Sequence, residues 1–257
     1  MKNKINRRDF VRASAVAGTG LIFTGGFAPA KTAHSFSKEI RIGIIGLDTS
    51  HCIAFTKALN APDASNEFAG CKVVAAYPTE GSSDIPASIN RIQGFTEQVR
   101  QQGVQIVSSI EELLEKVDVV LLETVDGRKH LEQALPVLKA GKRMFIDKPV
   151  AASLTDAVTI FDEAKRYNVP VFSSSSVRYI TGAREIAEGK AGKVFGADTY
   201  GPASTEKTHP DLFWYGIHGI ELLFTVMGAD CKSVVRIHTD DTDMLVGIWQ
   251  DGRIGSY

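Results

Sequence analysis

The stretch IRIGIIGLDTSH, which spans residues 40–51, decides how the rest of this sequence folds. Its first half is an apolar, β-branched run without a polar face, which is typical of a strand buried on both sides of a sheet. The run stops abruptly at Gly46, where a tight turn should follow. From His51 to Asn60 the apolar residues recur at helical spacing. The stretch therefore predicts a strand, a tight turn and a helix in succession.

A strand, turn and helix of this kind open dinucleotide-binding sheets, where backbone N–H groups and the helix N-terminus face a diphosphate. The usual G-x-G-x-x-G pattern is replaced by GLDTSH at residues 46–51, in which only the first glycine remains. A carboxylate about 4 Å from a phosphate would cost about 4 kcal/mol at an effective dielectric constant of about 20, whereas the helix N-terminus returns only about 0.3–1 kcal/mol. We therefore predict an altered nucleotide site. Its candidate residues in this turn are Gly46, Asp48, Thr49, Ser50 and His51, and Asp48, Thr49 or Ser50 can also serve simply as the helix cap.

The composition is that of an ordinary globular chain with small-molecule partners. Its 257 residues are 44% hydrophobic and carry a formal net charge of -1, enough for one large or two modest domains. Basic and acidic residues are interspersed after the first dozen residues, so we expect no nucleic-acid partner. Cys52, Cys71 and Cys231 are widely spaced and form no C-x-x-C pair, which indicates neither a zinc site nor a disulfide framework. We predict no metal site.

Residues 1–37 are interpreted as a twin-arginine signal peptide and linker. Arg7 and Arg8 precede a weakly apolar stretch from Ala13 to Ala30, whose Ala-Pro-Ala ending suits signal peptidase. Four glycines in that stretch disfavour a membrane-spanning helix. The sequence thus predicts a periplasmic protein with the twin-arginine export machinery as a partner, and a cytoplasmic basic helix is the alternative.

Residues 38–173 predict a Rossmann-like domain of the α/β class. Short apolar runs alternate with amphipathic stretches, the pattern of a parallel sheet with helices on both faces. Ser109 with Glu112, and Ser153 with Asp156, mark the starts of two helices. The strands are predicted at Arg41–Ile45, Lys72–Tyr77, Val104–Val107, Asp118–Leu122, Arg143–Ile146 and Val169–Phe172.

Residues 174–257 predict a smaller α+β domain, because a serine run ends the alternation and one apolar helix is then followed by strand-like runs. Asp251-Gly252 is a hairpin signal. The last strand ends at Tyr257 with nothing to close the sheet, so we expect a domain that is incomplete at its C-terminus, with an edge open to a homo-oligomer. The helix is predicted at Phe213–Met227, and an antiparallel sheet at Val194–Tyr200, Lys232–Ile237, Met244–Gln250 and Arg253–Tyr257.

Three stretches taken together resemble the glucose-fructose oxidoreductase and inositol dehydrogenase family, called Gfo/Idh/MocA. The first is the strand and turn at residues 42–51. The second begins with the apolar strand at residues 118–122 and ends in Asp147-Lys148-Pro149, where the family has Glu-Lys-Pro. The third is GIHGIE at residues 216–221, which resembles the histidine-bearing helix of the family's second domain. Their order and spacing make the combination specific.

The resemblance implies an NAD(P)-dependent oxidoreductase that acts on a sugar, cyclitol or polyol. Lys148 matches the lysine beside the nicotinamide and the reacting hydroxyl, and His218 matches the general acid or base. His218 would take the hydroxyl proton while Lys148 stabilises the developing alkoxide during hydride transfer. Thr124, His130, Asp147 and Lys148 join the candidate cofactor-binding residues. NAD and NADP both stay open, and export of a folded protein favours a tightly bound coenzyme.

Departures from the family pattern keep other functions open. The second strand ends without the acid that holds the adenosine ribose, since Glu80 follows late, and Trp214 stands where the family commonly has an aspartate. One alternative is a lyase, hydrolase or binding protein on the same fold that has lost ordinary nucleotide binding. Asp48 and His51 would then be acid and base, or two ligands of a metal. A scaffold or partner subunit is the third hypothesis.

Overall fold

Two sheets form the framework of the part of the chain that the computed structural model describes, namely residues 39–64, 68 and 70–257. The predicted signal peptide and linker at residues 1–37 lie outside the described residues. Within the described part, no helix combines the length and the hydropathy that a membrane span needs.

The first sheet is a doubly wound parallel sheet, as the sequence predicted. Its strands are β1 (Ile40–Ile45), β2 (Cys71–Tyr77), β3 (Gln105–Ile106), β4 (Val119–Leu122), β5 (Arg143–Ile146) and β6 (Val171–Ser173). All neighbours are parallel, in the order β3-β2-β1-β4-β5-β6. The chain therefore turns back at β1 and β4, and ligands of such sheets bind beyond the carboxyl ends of the strands at that switch point.

Three of the helices that connect these strands begin at a residue whose side chain caps the helix. Thr49, rather than Asp48 or Ser50, caps the first helix by accepting from the His51 N–H at 3.4 Å. Ser109 and Ser153 accept from the N–H groups three residues later, as predicted. The segment from 79 to 102, for which the sequence pattern predicted no element, holds two short helices. The helices of this half are α1 (Ser50–Asn60), α2 (Pro86–Ile89), α3 (Ile92–Gln101), α4 (Ile110–Lys116), α5 (His130–Lys139) and α6 (Leu154–Arg166).

The core of the first sheet lies on both of its faces. Successive side chains of a strand point to opposite faces, so Ile44 packs on one side of β1 and Ile45 on the other. Both are fully buried, which confirms that β1 is covered on two sides. Ile44 belongs with Ile42, Leu47, Cys52, Val73, Ala76, Val99 and Val104, whereas Ile45 belongs with residues such as Leu113, Val120, Leu138, Met144 and Ile160.

The second sheet is mixed rather than purely antiparallel. Its strands are β7 (Gly196–Asp198), β8 (Cys231–His238), β9 (Asp243–Trp249) and β10 (Ile254–Ser256), and the helices of this half are α7 (Ala183–Ala187) and α8 (Ile217–Met227). The neighbours β8 and β9, and β9 and β10, are antiparallel, and the second pair confirms the hairpin at residues 251–252. The pair of β7 and β10 is parallel, because the chain crosses over through α8 between them. The helix predicted from Phe213 begins at Ile217, since residues 211–213 form a separate turn after Pro210.

One face of the second sheet packs on α8, and much of β8 stays exposed. Leu223, Met227, Trp249 and Tyr257 form the small core between helix and sheet. On β8, Val234, Val235 and Ile237 are each about 60% exposed, with values of 62%, 61% and 59%. A homo-oligomer that pairs through this sheet stays a prediction, and these exposed apolar side chains are in keeping with it.

Gly46 is required by the contact between the ends of β1 and β4. Its φ of +88° lies in the left-handed region, and a Cβ there would be 2.4 Å from Thr124 Oγ1 and 2.5 Å from Thr124 N. The only glycine left from the fingerprint therefore allows the chain itself to pack closely at the switch point.

Gly46→Ala should lower the free energy of unfolding by about 2–5 kcal/mol, because a left-handed alanine costs roughly 1–2 kcal/mol and the overlap with Thr124 adds roughly 1–3 kcal/mol. Gly103→Ala is the matched control, since Gly103 also has a positive φ of +83° but no atom within 4 Å of an added Cβ. Urea unfolding of the two variants measures the difference. Equal losses in both would show that the contact with Thr124 is unimportant.

Candidate active site

Four carboxylates are buried at the carboxyl edge of the first sheet. Asp48 follows β1, Glu123 and Asp126 follow β4, and Asp147 follows β5. Three of the four are completely shielded from solvent and Asp147 is 4% exposed. Charged side chains are almost never buried without partners, so the partners of each carboxylate define the chemistry of this edge.

The carboxylate of Asp48 joins the loops after β1 and β4. It accepts from Ser88 Oγ at 2.6 Å and from the Val125 N–H at 2.9 Å. Burial raises its pKa, and the two hydrogen bonds oppose that shift. The hypothesis that paired Asp48 with His51 is wrong, because Asp48 turns toward α2 and the β4 loop while His51 bonds Asp147.

Asp126 anchors the segment after β2 to the β4 loop. It accepts from Ser82 Oγ at 2.5 Å and from the Arg128 guanidinium at 2.7 Å, and Arg128 also holds Asp84 at 2.8 Å. Burial alone would raise the pKa of Asp126, but the bonds from Arg128 and Ser82 lower it to about 2. His209 closes the same loop by accepting from the Gly127 N–H at 3.1 Å, and burial lowers the pKa of this histidine.

Asp126→Asn should lower the free energy of unfolding at pH 7 by about 2 kcal/mol. This is the stabilisation that corresponds to the shift of the Asp126 pKa from its ordinary value to about 2 on folding. A carboxyl with a lowered folded pKa stabilises fully above its unfolded pKa of about 3.9, and this stabilisation disappears as pH falls toward about 2. Chemical denaturation at a series of pH values from neutral to acidic should therefore show the two proteins converging. A gap that is constant with pH would contradict an ionised Asp126.

His51, Glu123 and Asp147 form a cluster beside Lys148. His51 Nδ1 lies 2.9 Å from Asp147 Oδ2 and 4.0 Å from Glu123 Oε2, and Lys148 Nζ lies 3.9 Å from Asp147 Oδ2. Burial opposes ionisation of Asp147, yet the hydrogen bond with His51 and the charge of Lys148 hold its pKa below the ordinary value. Burial and the neighbouring Asp147 raise the pKa of Glu123 well above its ordinary range. Neither oxygen of Glu123 has a hydrogen-bond partner among the described residues.

His218 lies near Lys148 and is held by Ser175. A hydrogen bond of 2.6 Å joins Ser175 Oγ to His218 Nδ1, so Nε2 is the ring atom available to a ligand. The Ser175 N–H in turn donates to Glu221 at 2.8 Å, and Arg178 holds the other oxygen of Glu221 at 2.7 Å. Burial and the charge of Lys148 lower the pKa of His218. The imidazole is therefore neutral at pH 7 and able to accept a proton.

Two of the predicted cofactor-binding residues, Thr124 and His130, use their side chains to hold the β4 loop in place. Both ring nitrogens of the buried His130 face backbone oxygens, with Nε2 2.6 Å from the Thr124 carbonyl and Nδ1 3.0 Å from that of Val150. Thr124 Oγ1 donates to Gln133 at 2.8 Å. His130 has no free ring nitrogen for a ligand, so its contribution to the site is to position the β4 loop.

Two cavities open along this edge. One of about 260 Å³ lies at the ends of β2 and β4 and is lined by Thr79, Glu80, Thr124 and Lys129 among others. The other, of about 750 Å³, has largely apolar walls, including Phe55 and Phe145, and reaches His51 and Asp147.

The residues at this edge fit a dinucleotide, but the part that would contact the diphosphate differs from the usual glycine-rich turn. Thr79 and Glu80 offer polar groups for ribose hydroxyls in the smaller cavity, and Lys148 stands at the other end of the edge. Between them, Ser50 is exposed at the N-terminus of α1, where a diphosphate is favoured. Ser88 Oγ and the Val125 N–H both donate to the carboxylate of Asp48. These hydrogen bonds reduce the repulsion between Asp48 and a diphosphate that we expected from the sequence.

Sequence reasoning missed four residues of this edge: Glu123, Asp126, Ser82 and Ser88. Glu123 follows the apolar run of β4 directly, and an acid in that position was a signal for a buried carboxylate at the switch point. The two serines gave no such signal, because their partners lie some 40 residues away, at separations of 44 and 40 residues.

The doubly wound parallel sheet and the polar edge beyond its strands define a protein of the dinucleotide-binding α/β class. The sequence pattern of the Gfo/Idh/MocA oxidoreductase family, with its NAD-binding Rossmann fold, matches residues 40–175. This match covers more than half of the chain, and the chain belongs to that family.

Two curated relatives illustrate the similarity. Inositol 2-dehydrogenase 3 of Saccharopolyspora erythraea is 28% identical over 153 residues, which cover 58% of this chain and 40% of that protein. An uncharacterized oxidoreductase of Streptococcus pneumoniae is 28% identical over 154 residues, or 56% of this chain and 41% of that protein. The chain thus matches about two fifths of the length of these relatives.

Solved structures share the fold at low sequence identity. A probable dehydrogenase from Thermotoga maritima has a TM-score of 0.63 at 22% identity, with 84% of this chain and 67% of that chain covered. The WlbA dehydrogenase of Chromobacterium violaceum, in complex with NADH and UDP-GlcNAcA, has a TM-score of 0.59 at 17% identity, with 85% and 66% covered. These structures support the α/β assignment of the first sheet and the second sheet that follows it.

Proposed function

We propose that this protein is an NAD(P)-dependent oxidoreductase that transfers a hydride at a hydroxyl of a sugar, cyclitol or polyol. The observation that carries the proposal is the pair of Lys148 and His218, in which burial and the nearby lysine charge lower the pKa of the histidine while Ser175 leaves its Nε2 available to a ligand. The inositol dehydrogenase relative and the WlbA complex with a nucleotide sugar support the substrate class. None of the relatives and structures named above supports the lyase, hydrolase or binding-protein alternative.

Lys148 and His218 have different roles toward the substrate hydroxyl. The Lys148 ammonium donates to the oxygen and stabilises negative charge as it develops. His218 Nε2 accepts the hydroxyl proton, because its other nitrogen is engaged by Ser175. A bound nicotinamide would supply the hydride acceptor, held through Lys148 at this end and through Ser50, Thr79 and Glu80 toward the adenosine end.

The histidine is oriented without the aspartate common in the family. Trp214 occupies that position and packs against His209 instead, with ring centroids 4.8 Å apart and ring planes at 55°. Ser175 bonds the imidazole, and Glu221 holds the backbone of Ser175. The hydroxyl of a serine whose backbone N–H donates to a carboxylate thus takes the place of a direct carboxylate partner and positions His218.

His218→Gln and Lys148→Ala should each reduce kcat/KM by about 10²–10⁴-fold, the range for losing a positioned acid or base or an alkoxide donor. His238→Gln is the control, because His238 lies on the exposed strand β8. The assay follows formation of reduced nicotinamide with a panel of cyclitols, sugars and sugar acids. Full activity in either variant would overturn the assignment of that residue.

Coenzyme binding is measured separately from turnover. The protein is purified after cytoplasmic folding, denatured by heat, and the supernatant is assayed for NAD and NADP; the stripped protein is then titrated with each. We expect a dinucleotide in the supernatant or binding of at least one coenzyme. Absence of both results would refute NAD(P) dependence.

The proposal also includes the cellular setting. We propose export to the periplasm by the twin-arginine route, on the basis of Arg7, Arg8 and the apolar stretch that follows. A coenzyme loaded before export would then be recycled in place. Pairing of copies through the second sheet is supported by its exposed apolar side chains.

A further inference from the structure

We propose that His51, Glu123 and Asp147 bind a divalent transition-metal ion at the carboxyl edge of the first sheet. Each residue offers one ligand atom, and the three atoms lie within 4.8 Å of one another. The residues come from α1 and from the ends of β4 and β5, so the fold brings together three side chains that are far apart in sequence. This metal site is a proposal separate from hydride transfer. It is argued from the contacts of Glu123 and not from the pair of Lys148 and His218.

The carboxylate of Glu123 carries the argument. It is completely buried, and neither of its oxygens has a hydrogen-bond partner among the residues that the structure describes. An unsatisfied buried carboxylate is costly, whereas Asp48 and Asp126 at the same edge are fully supplied with donors. Glu123 Oε2 points to His51, whose Nδ1 is 4.0 Å away. A cation between these atoms would satisfy it.

The charge balance favours a cation in this position. Glu123 and Asp147 bring two carboxylates together, and Lys148 reaches only the oxygen of Asp147, at 3.9 Å. Asp48 adds further negative charge in the neighbourhood of Glu123. A divalent ion would bind both carboxylates at once, whereas the ammonium group of Lys148 lies near Asp147 alone.

The donor set selects the class of metal. One imidazole and two carboxylates suit Zn²⁺, Mn²⁺ or Fe²⁺ better than Mg²⁺ or Ca²⁺, which prefer oxygen alone. Ligands about 2.0–2.2 Å from such an ion lie about 3.0–3.6 Å apart. The ion would therefore replace the hydrogen bond of 2.9 Å between His51 Nδ1 and Asp147 Oδ2 and bring Glu123 Oε2 closer than its present 4.0 Å from His51 Nδ1. Three protein ligands leave a position for water or a substrate oxygen. His51 and Asp147 also line the cavity of about 750 Å³, through which an ion can arrive.

The test measures metal binding by the full chain and needs neither substrate nor coenzyme. The protein is purified without chelators, its metal content is determined by mass spectrometry, and it is then stripped with EDTA and titrated with Zn²⁺ and Co²⁺. We expect one ion per chain, a visible Co²⁺ spectrum, and a higher Tm with the ion. Since loss of an outer-shell partner already weakens binding by about 10–100-fold, Glu123→Gln and Asp147→Asn should each weaken it by more than about 100-fold.

The matched control is His238→Ala. His238 Nδ1 lies 3.0 Å from Asp243 in an exposed pair that resembles the pair of His51 and Asp147 but has no buried glutamate beside it. This variant should bind the ion as the original protein does, whereas His51→Ala should not. The side chain of His51 is 40% exposed, so we expect the His51→Ala protein to fold, and it covers the case in which a change at Glu123 prevents folding.

Two results would overturn the proposal. One is a stripped protein that takes up neither Zn²⁺ nor Co²⁺ and keeps the same Tm in their presence, which would show that Glu123 is satisfied by a proton. The other is unchanged affinity in both Glu123→Gln and His51→Ala, with circular dichroism showing folded protein. Neither result depends on whether the hydride-transfer activity exists.

Discussion

The hydrogen bonds of the buried Asp48 carboxylate hold together the two loops on which the rest of the site depends. Through Val125 and Ser88 this one side chain fixes the end of β1 to the end of β4 and to the segment after β2. The family places a glycine here so that a nucleotide can approach the backbone. In this chain the side chain that replaced the glycine is satisfied internally, because leaving a buried carboxylate without donors would be costly.

The four buried carboxylates at this edge differ in their hydrogen-bond and charge partners, and their pKa values differ as a result. Asp48 meets a hydroxyl and an amide, Asp126 meets a guanidinium, and Asp147 meets an imidazole and an ammonium group. Asp126 is accordingly held ionised with a pKa of about 2, while burial raises the pKa of Glu123. Environments that separate the pKa values of like groups are typical of sites that handle protons or ions.

Much of the fold was readable from the sequence, because buried parallel strands are nearly continuous apolar runs and helix starts carry local caps. β1 and the caps at Ser109 and Ser153 are examples. The parallel pairing of β7 with β10 was not readable, since it depends on a crossover through α8 rather than on a local pattern. The hydrogen bond between Asp48 and Ser88 could not be predicted either, because it joins residues that are 40 positions apart. Nothing in the sequence around Ser88 indicates such a distant partner. Lys148 and His218 became candidates only through the order of motifs along the chain.

The unequal exposure of the side chains around Glu123 sets the order in which solvent reaches them. His51 is 40% exposed and Lys148 16%, whereas Glu123 behind them is fully enclosed. A solute that approaches from the surrounding solution therefore reaches the imidazole and the ammonium group before it reaches the innermost carboxylate.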